Sequence, residues 1–195
     1  MIDQIETLLK DHYPKNKGFF VFGSSVYKTT SSQSDIDVVV IEDELHGQSK
    51  THGKFDFQFV SLESFLKQVK KCDIKSLEGL FTDLKRFDFS VSKEDIDWAQ
   101  LRSSISEKSS HSWVKAKKKL IDQEFYIGKK SLWHSLRIML FGLQLSRHKA
   151  IVDFQEANPH YLPIITGSTN WEVLQGEYKS LYNQLHSDFK KIQPK

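Results

Sequence analysis

Three acids and a glycine–serine pair carry the densest chemistry in this chain. Asp35-Ile36-Asp37 opens a β-branched apolar run, Ile36–Ile41, that reads as a buried strand. Side chains alternate across a strand, so Asp35 and Asp37 point to one face. Two carboxylates so close repel each other, and desolvating them unpaired is costly. A divalent cation removes that repulsion. Mg²⁺, or Mn²⁺ in its place, is the ion expected, because such hard cations favour carboxylate and phosphate oxygens. Asp56 interrupts a second strand pattern, in which Phe55, Phe57 and Phe59 alternate with Asp56, Gln58 and Val60. Upstream, Phe19-Phe20-Val21-Phe22 reads as a short buried strand running into Gly23-Ser24-Ser25. Gly23 permits a tight turn and close approach by a phosphate. Ser24 and Ser25 add hydroxyls and backbone N–H groups, and a helix starting there would aim its N-terminus at a triphosphate. A helix N-cap accounts for Ser25 as well as phosphate contact does.

The elements around these residues follow from periodicity. Ile2, Ile5, Leu8 and Leu9 give an amphipathic helix over residues 2–12, and Pro14 and Gly18 punctuate the loop after it. Residues 28–34 are small and polar and read as a loop; residues 42–53 read as another. After residue 61 the pattern becomes helical over 62–69 and 74–81, with a weak strand signal at 86–92. Residues 103–110 are serine-rich and read as a junction. Helical patterns then cover roughly 112–126, 130–147 and 170–191. The expected fold is α/β (α+β): a small mixed-sheet domain over residues 1–105, followed by a helical domain over 106–195.

Gly23-Ser24, ten residues, then Asp35-x-Asp37 resembles the signature of the DNA polymerase β-like nucleotidyltransferase superfamily, and Asp56 resembles its third carboxylate. The spacing is similar to that of minimal and RNA-repair nucleotidyltransferases. The matched core is residues 19–60. The resemblance implies an enzyme that uses an NTP, ATP by default, as donor. It would transfer the nucleoside monophosphate to a hydroxyl on an RNA 3′ end, a protein or a small molecule, releasing pyrophosphate. Asp35, Asp37 and Asp56 would hold Mg²⁺ or Mn²⁺ in two-metal chemistry, Asp56 would also assist as general base, and Gly23 and Ser24 would steady the outer phosphates. The rival readings are an antitoxin-like protein and a catalytically silent nucleotide-binding module acting on a partner protein. The intact acids argue against the silent form.

Lys130, His134 and Arg137 fall on one helical face opposite Leu132, Trp133, Leu136 and Met139. They are candidates to hold the triphosphate, with a solvated face as the alternative. Lys115–Lys119 reads as a solvated basic surface. Trp113, Trp133 and Trp171 read as core rather than as platforms for a base.

Composition bounds the rest. The chain has 195 residues, an ordinary hydrophobic fraction of 38% and a net charge of only +3, which neither demands nor excludes nucleic acid. Cys72 is the single cysteine, so no internal disulfide forms and a reducing, cytoplasmic setting is expected. The first residues carry acids where a secretory leader would carry lysines, and no apolar run is long enough to span a bilayer.

Overall fold

The computed structural model describes residues 1–30 and 34–193; part of the 28–34 loop reading therefore lies outside the described residues. The described chain divides into two compact units, Met1–Ile96 and Asp97–Lys195.

The first unit is a mixed five-stranded sheet flanked by helices. Its strands are β1 (Gly18–Val21), β2 (Ile36–Ile41), β3 (Ser49–His52), β4 (Phe55–Val60) and β5 (Lys85–Phe87), in the order β3-β4-β2-β1-β5. β2 lies at the centre, antiparallel to β1 and parallel to β4, and Val38 to Ile41 are almost wholly buried. A strand covered on both faces needs such a continuous apolar run. The alternation in β4 divides the sheet into two faces. Phe55, Phe57 and Phe59 are buried on one, where Tyr13 packs edge-on against Phe57 and Phe59 at the end of α1 (Ile2–His12). Asp56, Gln58 and Val60 occupy the other. That second face is covered farther along by α3 (Leu62–Lys70) and α4 (Ile74–Phe81). Phe65 of α3 meets Phe20 at 5.7 Å, and Gly79 of α4 lies flat on the Phe20 ring. Ser61 and Asp73 cap these two helices through their side chains.

β3 corrects the reading of 42–53 as loop throughout. It pairs Ser49 with Gln58 and His52 with Phe55, and the hairpin closes through Gly53-Lys54 with Gly53 at φ +59°. This is the positive-φ two-residue turn that a right-twisted hairpin requires. Its own residues are polar and largely exposed, as suits an edge strand. β5 is also shorter and earlier than the 86–92 pattern suggests. Cys72, the single cysteine, is fully buried.

The second unit is helical: α5 (Leu101–Ile121), α6 (Phe125–His148), α7 (Asn158–Thr166) and α8 (Trp171–Ile192). The serine-rich stretch 103–110 is not a junction but the interior of α5. Its buried positions are Leu101, Ile105, Ser109, Ala116 and Leu120, and the Ser109 hydroxyl donates to the Ser135 carbonyl at 2.9 Å. α6 is buried nearly all round, with Leu132, Trp133, Leu136, Met139 and Phe141 at 0% exposure, so it forms the axis of this unit. α7 was not evident from the pattern because Pro159 and Pro163 break it, yet Pro159 sits in the first turn, where a missing N–H costs nothing. Gln144 ties down the segment after α6: its carbonyl accepts from Val152 and Asp153 N–H, and its amide donates to the Asp153 carbonyl. Trp133 donates its indole N–H to the Ala157 carbonyl, and Trp171 is 3% exposed, so both belong to the core.

Candidate functional site

The parallel register of β2 and β4 sets the site. It places Asp37 opposite Asp56, Ile36 opposite Phe55 and Val38 opposite Phe57. In-register neighbours on parallel strands share a face, so Asp37 and Asp56 stand side by side, both half-buried. Asp35 precedes β2 by one residue, has the same parity as Asp37 and is exposed. The Thr51 hydroxyl donates to an Asp56 carboxylate oxygen at 3.3 Å from β3.

Gly23 abuts Asp37. The end of β1 is fixed to β2 by the Phe22 N–H donating to the Asp37 carbonyl at 3.0 Å. The chain then turns at Gly23 with φ +74°, and a Cβ built there would lie 2.6 Å from an Asp37 carboxylate oxygen. Both the dihedral and the contact require glycine. Ser24 and Ser25 open α2 (Ser24–Tyr27), a single turn whose Val26 and Tyr27 N–H groups bond the Gly23 carbonyl. Gly23, not Ser25, occupies the N-cap position, so capping does not account for Ser25. One turn carries little macrodipole; what it offers a phosphate is hydroxyls and N–H groups. The turn is anchored from below by Tyr27, whose hydroxyl donates to the buried Glu78 of α4.

α4 also brings Lys75 to the acid face. Its ammonium donates to the Gln58 side-chain carbonyl at 2.6 Å and lies 3.9 Å from the centroid of the Phe22 ring. Burial pushes the pKa of Lys75 down, while the charges of Asp37, Asp73, Glu78 and Asp56 pull it back up. Sequence reading missed this residue. Beyond Gln58 the same face opens a cavity of about 200 Å³, bordered by Phe20, Val39, Phe65, Lys75 and Ser76. It is too small for a whole nucleotide.

Hard carboxylate oxygens suit Mg²⁺ or Mn²⁺, and the pairing of Asp37 with Asp56 gathers two such donors. Among the described residues no group of three His, Cys, Asp or Glu side chains is drawn closely enough together to hold a metal ion. Asp35 stands apart from the Asp37–Asp56 pair, at the strand entrance.

Lys130, His134 and Arg137 lie in the second unit, on α6, where they form a cluster of their own. The Arg137 Nε donates to His134 Nδ1 at 3.2 Å, and the guanidinium stacks 5.6 Å from the Trp133 ring and 5.1 Å from Phe141. Arg137 is 6% exposed, so the solvated-face reading does not describe it. Burial, then the charges of Arg137, Lys130 and Lys115, hold the His134 pKa well below its ordinary value. Its imidazole is thus neutral and accepts at Nδ1.

A strand–glycine–serine turn thus leads to acids paired on neighbouring strands. The family model of the nucleotidyltransferase domain matches residues 2–109, more than half of the chain. The chain belongs to this polymerase β-like nucleotidyltransferase family. No relative is matched among curated proteins. Among solved structures, a nucleotidyltransferase-like protein from Exiguobacterium sibiricum is 11% identical, covering 99% of this chain and 77% of its own, with a TM-score of 0.38, too loose a likeness to carry an argument. Among the described residues no helix is long and apolar enough to cross a membrane.

Proposed function

We propose that this chain transfers a nucleoside monophosphate from an NTP, ATP foremost, to a hydroxyl acceptor on RNA, protein or a small molecule. The observation that carries the reading is the in-register pairing of Asp37 with Asp56, with the Asp37 carboxylate directly against Gly23. Gly23 lets a phosphate approach the backbone, and Ser24 and Ser25 donate hydrogen bonds to its oxygens. Asp37 and Asp56 would hold the divalent cation, with Asp35 joining them from the strand entrance. When bound, that ion would neutralise phosphate charge and acidify the acceptor hydroxyl. Asp56 accepts the hydroxyl proton. The acceptor oxygen bonds to the α-phosphorus, the bond from that phosphorus to the β-phosphate oxygen breaks, and pyrophosphate leaves.

The test uses each NTP labelled at the α-phosphate, with Mg²⁺ and fractionated cellular RNA, protein and metabolites. Label should enter one acceptor fraction with release of pyrophosphate. Asp37→Asn and Asp56→Asn should each lower transfer by at least about a hundred-fold. Transfer of label from the γ-phosphate instead, or undiminished transfer by Asp37→Asn, would overturn the reading.

A further inference from the structure

We propose that Lys75 is a triphosphate contact of this site, its ammonium receiving a phosphate oxygen of the NTP; the inference rests on the nucleotidyl-transfer reading above. The argument is one of position. Lys75 touches two residues, and each adjoins a different half of the site. Gln58 follows Asp56 by two positions and shares its face, while Phe22 immediately precedes Gly23. The ammonium is therefore located by the third-acid strand and the glycine turn together.

The character of its contacts points the same way. An amide oxygen and a ring face hold the ammonium, and neither carries a full charge. Asp37, Asp73, Glu78 and Asp56 act on it through their charges, and among the described residues no carboxylate is ion-paired with it. Taking an ammonium partly out of water costs hydration, and two neutral contacts offset only part of that cost. An ammonium has three N–H donors, and Gln58 takes one. A phosphate oxygen arriving beside Gly23 would take another of these donors and add a direct ionic contact. The competing role is structural. Lys75 sits one helical turn before the buried Glu78, and could serve only to offset that charge. A structural lysine changes folding stability. It does not distinguish a ligand with phosphates from one without.

The experiment is calorimetric binding of ATP, adenosine and inorganic tripolyphosphate, with Mg²⁺, to the full chain and to Lys75→Met and Lys75→Arg. Methionine keeps the stem packed against Phe22, so the variant should fold, and a melting curve checks that. Lys75→Met should weaken ATP and tripolyphosphate by about ten- to a hundred-fold and leave adenosine unchanged. Lys75→Arg should recover part of the loss. Unchanged ATP affinity in Lys75→Met overturns the inference and leaves the nucleotidyl-transfer reading standing. Equal losses for ATP and adenosine with a lowered melting temperature assign Lys75 the structural role instead. A wild-type chain that binds neither ATP nor tripolyphosphate overturns the reading beneath it.

Discussion

Gly23 is where backbone and chemistry meet most closely. Its φ of +74° lies in the region that side chains resist, and the Asp37 carboxylate occupies the space a Cβ would take. With ψ at −152° the position lies in a region essentially confined to glycine, so Gly23→Ala carries a dihedral cost of about 1–3 kcal/mol, and it must also push Asp37 out of line with Asp56. We expect the melting temperature to fall modestly while labelled transfer drops far more steeply than stability does. Equal, small losses in both would show that the carboxylate tolerates displacement. The acids and the glycine were legible in the sequence because each breaks a pattern: an acid in a β-branched run, an acid among phenylalanines, a glycine ending a buried strand. Lys75 was not. It stands in Lys70-Lys71-Cys72-Asp73-Ile74-Lys75, where a lysine reads as one more solvated charge, and only the seating of α4 on the acid face singles it out. Ser25 was ambiguous for a related reason: its role depends on which residue takes the cap.

At the scale of elements, α4 is held at a fixed height above the sheet by Gly79. A methyl group there would lie 2.5 Å from the Phe20 ring, which is itself 1% exposed and cannot withdraw. Gly79→Ala should cost about 1–3 kcal/mol as overpacking, against a gain of under about 1 kcal/mol in helix propensity. Chemical denaturation would measure the net loss; a net gain would mean that α4 slides freely. Elements with a continuous or alternating apolar pattern were legible: α1, β1, β2, β4, α3 and α4 lie where periodicity put them. The missed ones lack that signal for identifiable reasons. β3 is a polar edge strand defined by its partner rather than by burial. α7 contains two prolines. The serine stretch of α5 continues a buried stripe in which Ser109 takes a place normally held by an apolar residue, and its hydroxyl is satisfied by a facing carbonyl.

For the molecule as a whole, charge and pH act unevenly. His134, His160 and His186 all belong to the second unit, and burial lowers the pKa of each. The folded unit therefore keeps them neutral where the unfolded chain, titrating near pH 6.5, takes up protons. The unfolded state binds more protons below that pH, so stability is lost as pH falls through about 6.5 toward the lowered values. Hydrogen exchange, corrected for intrinsic rate, should show protection of α6 and α8 falling between pH 7.5 and 5.5. His134→Gln should flatten the slope. Protection independent of pH over that range would contradict the shifts. None of this was legible in the sequence, because the burial of these histidines is a property of the packed helices.

The register that aligns Asp37 with Asp56 also decides where the chain can change length. A slip of one residue between β2 and β4 turns every side chain of β4 to the opposite face, setting a phenylalanine beside Asp37 and carrying Asp56 into the aromatic layer under Tyr13. Insertions and deletions within these two strands are thus closed to evolution unless they come in compensating pairs. The segment around Gly47 joins β2 to β3; an added Cβ there meets nothing within 4 Å, yet the Gly47 N–H donates to the Phe59 carbonyl and the Gln48 carbonyl accepts from the Phe59 N–H. That segment is thus tied to β4 as well, and any lengthening beside the sheet has to spare those two bonds to leave the acids in line.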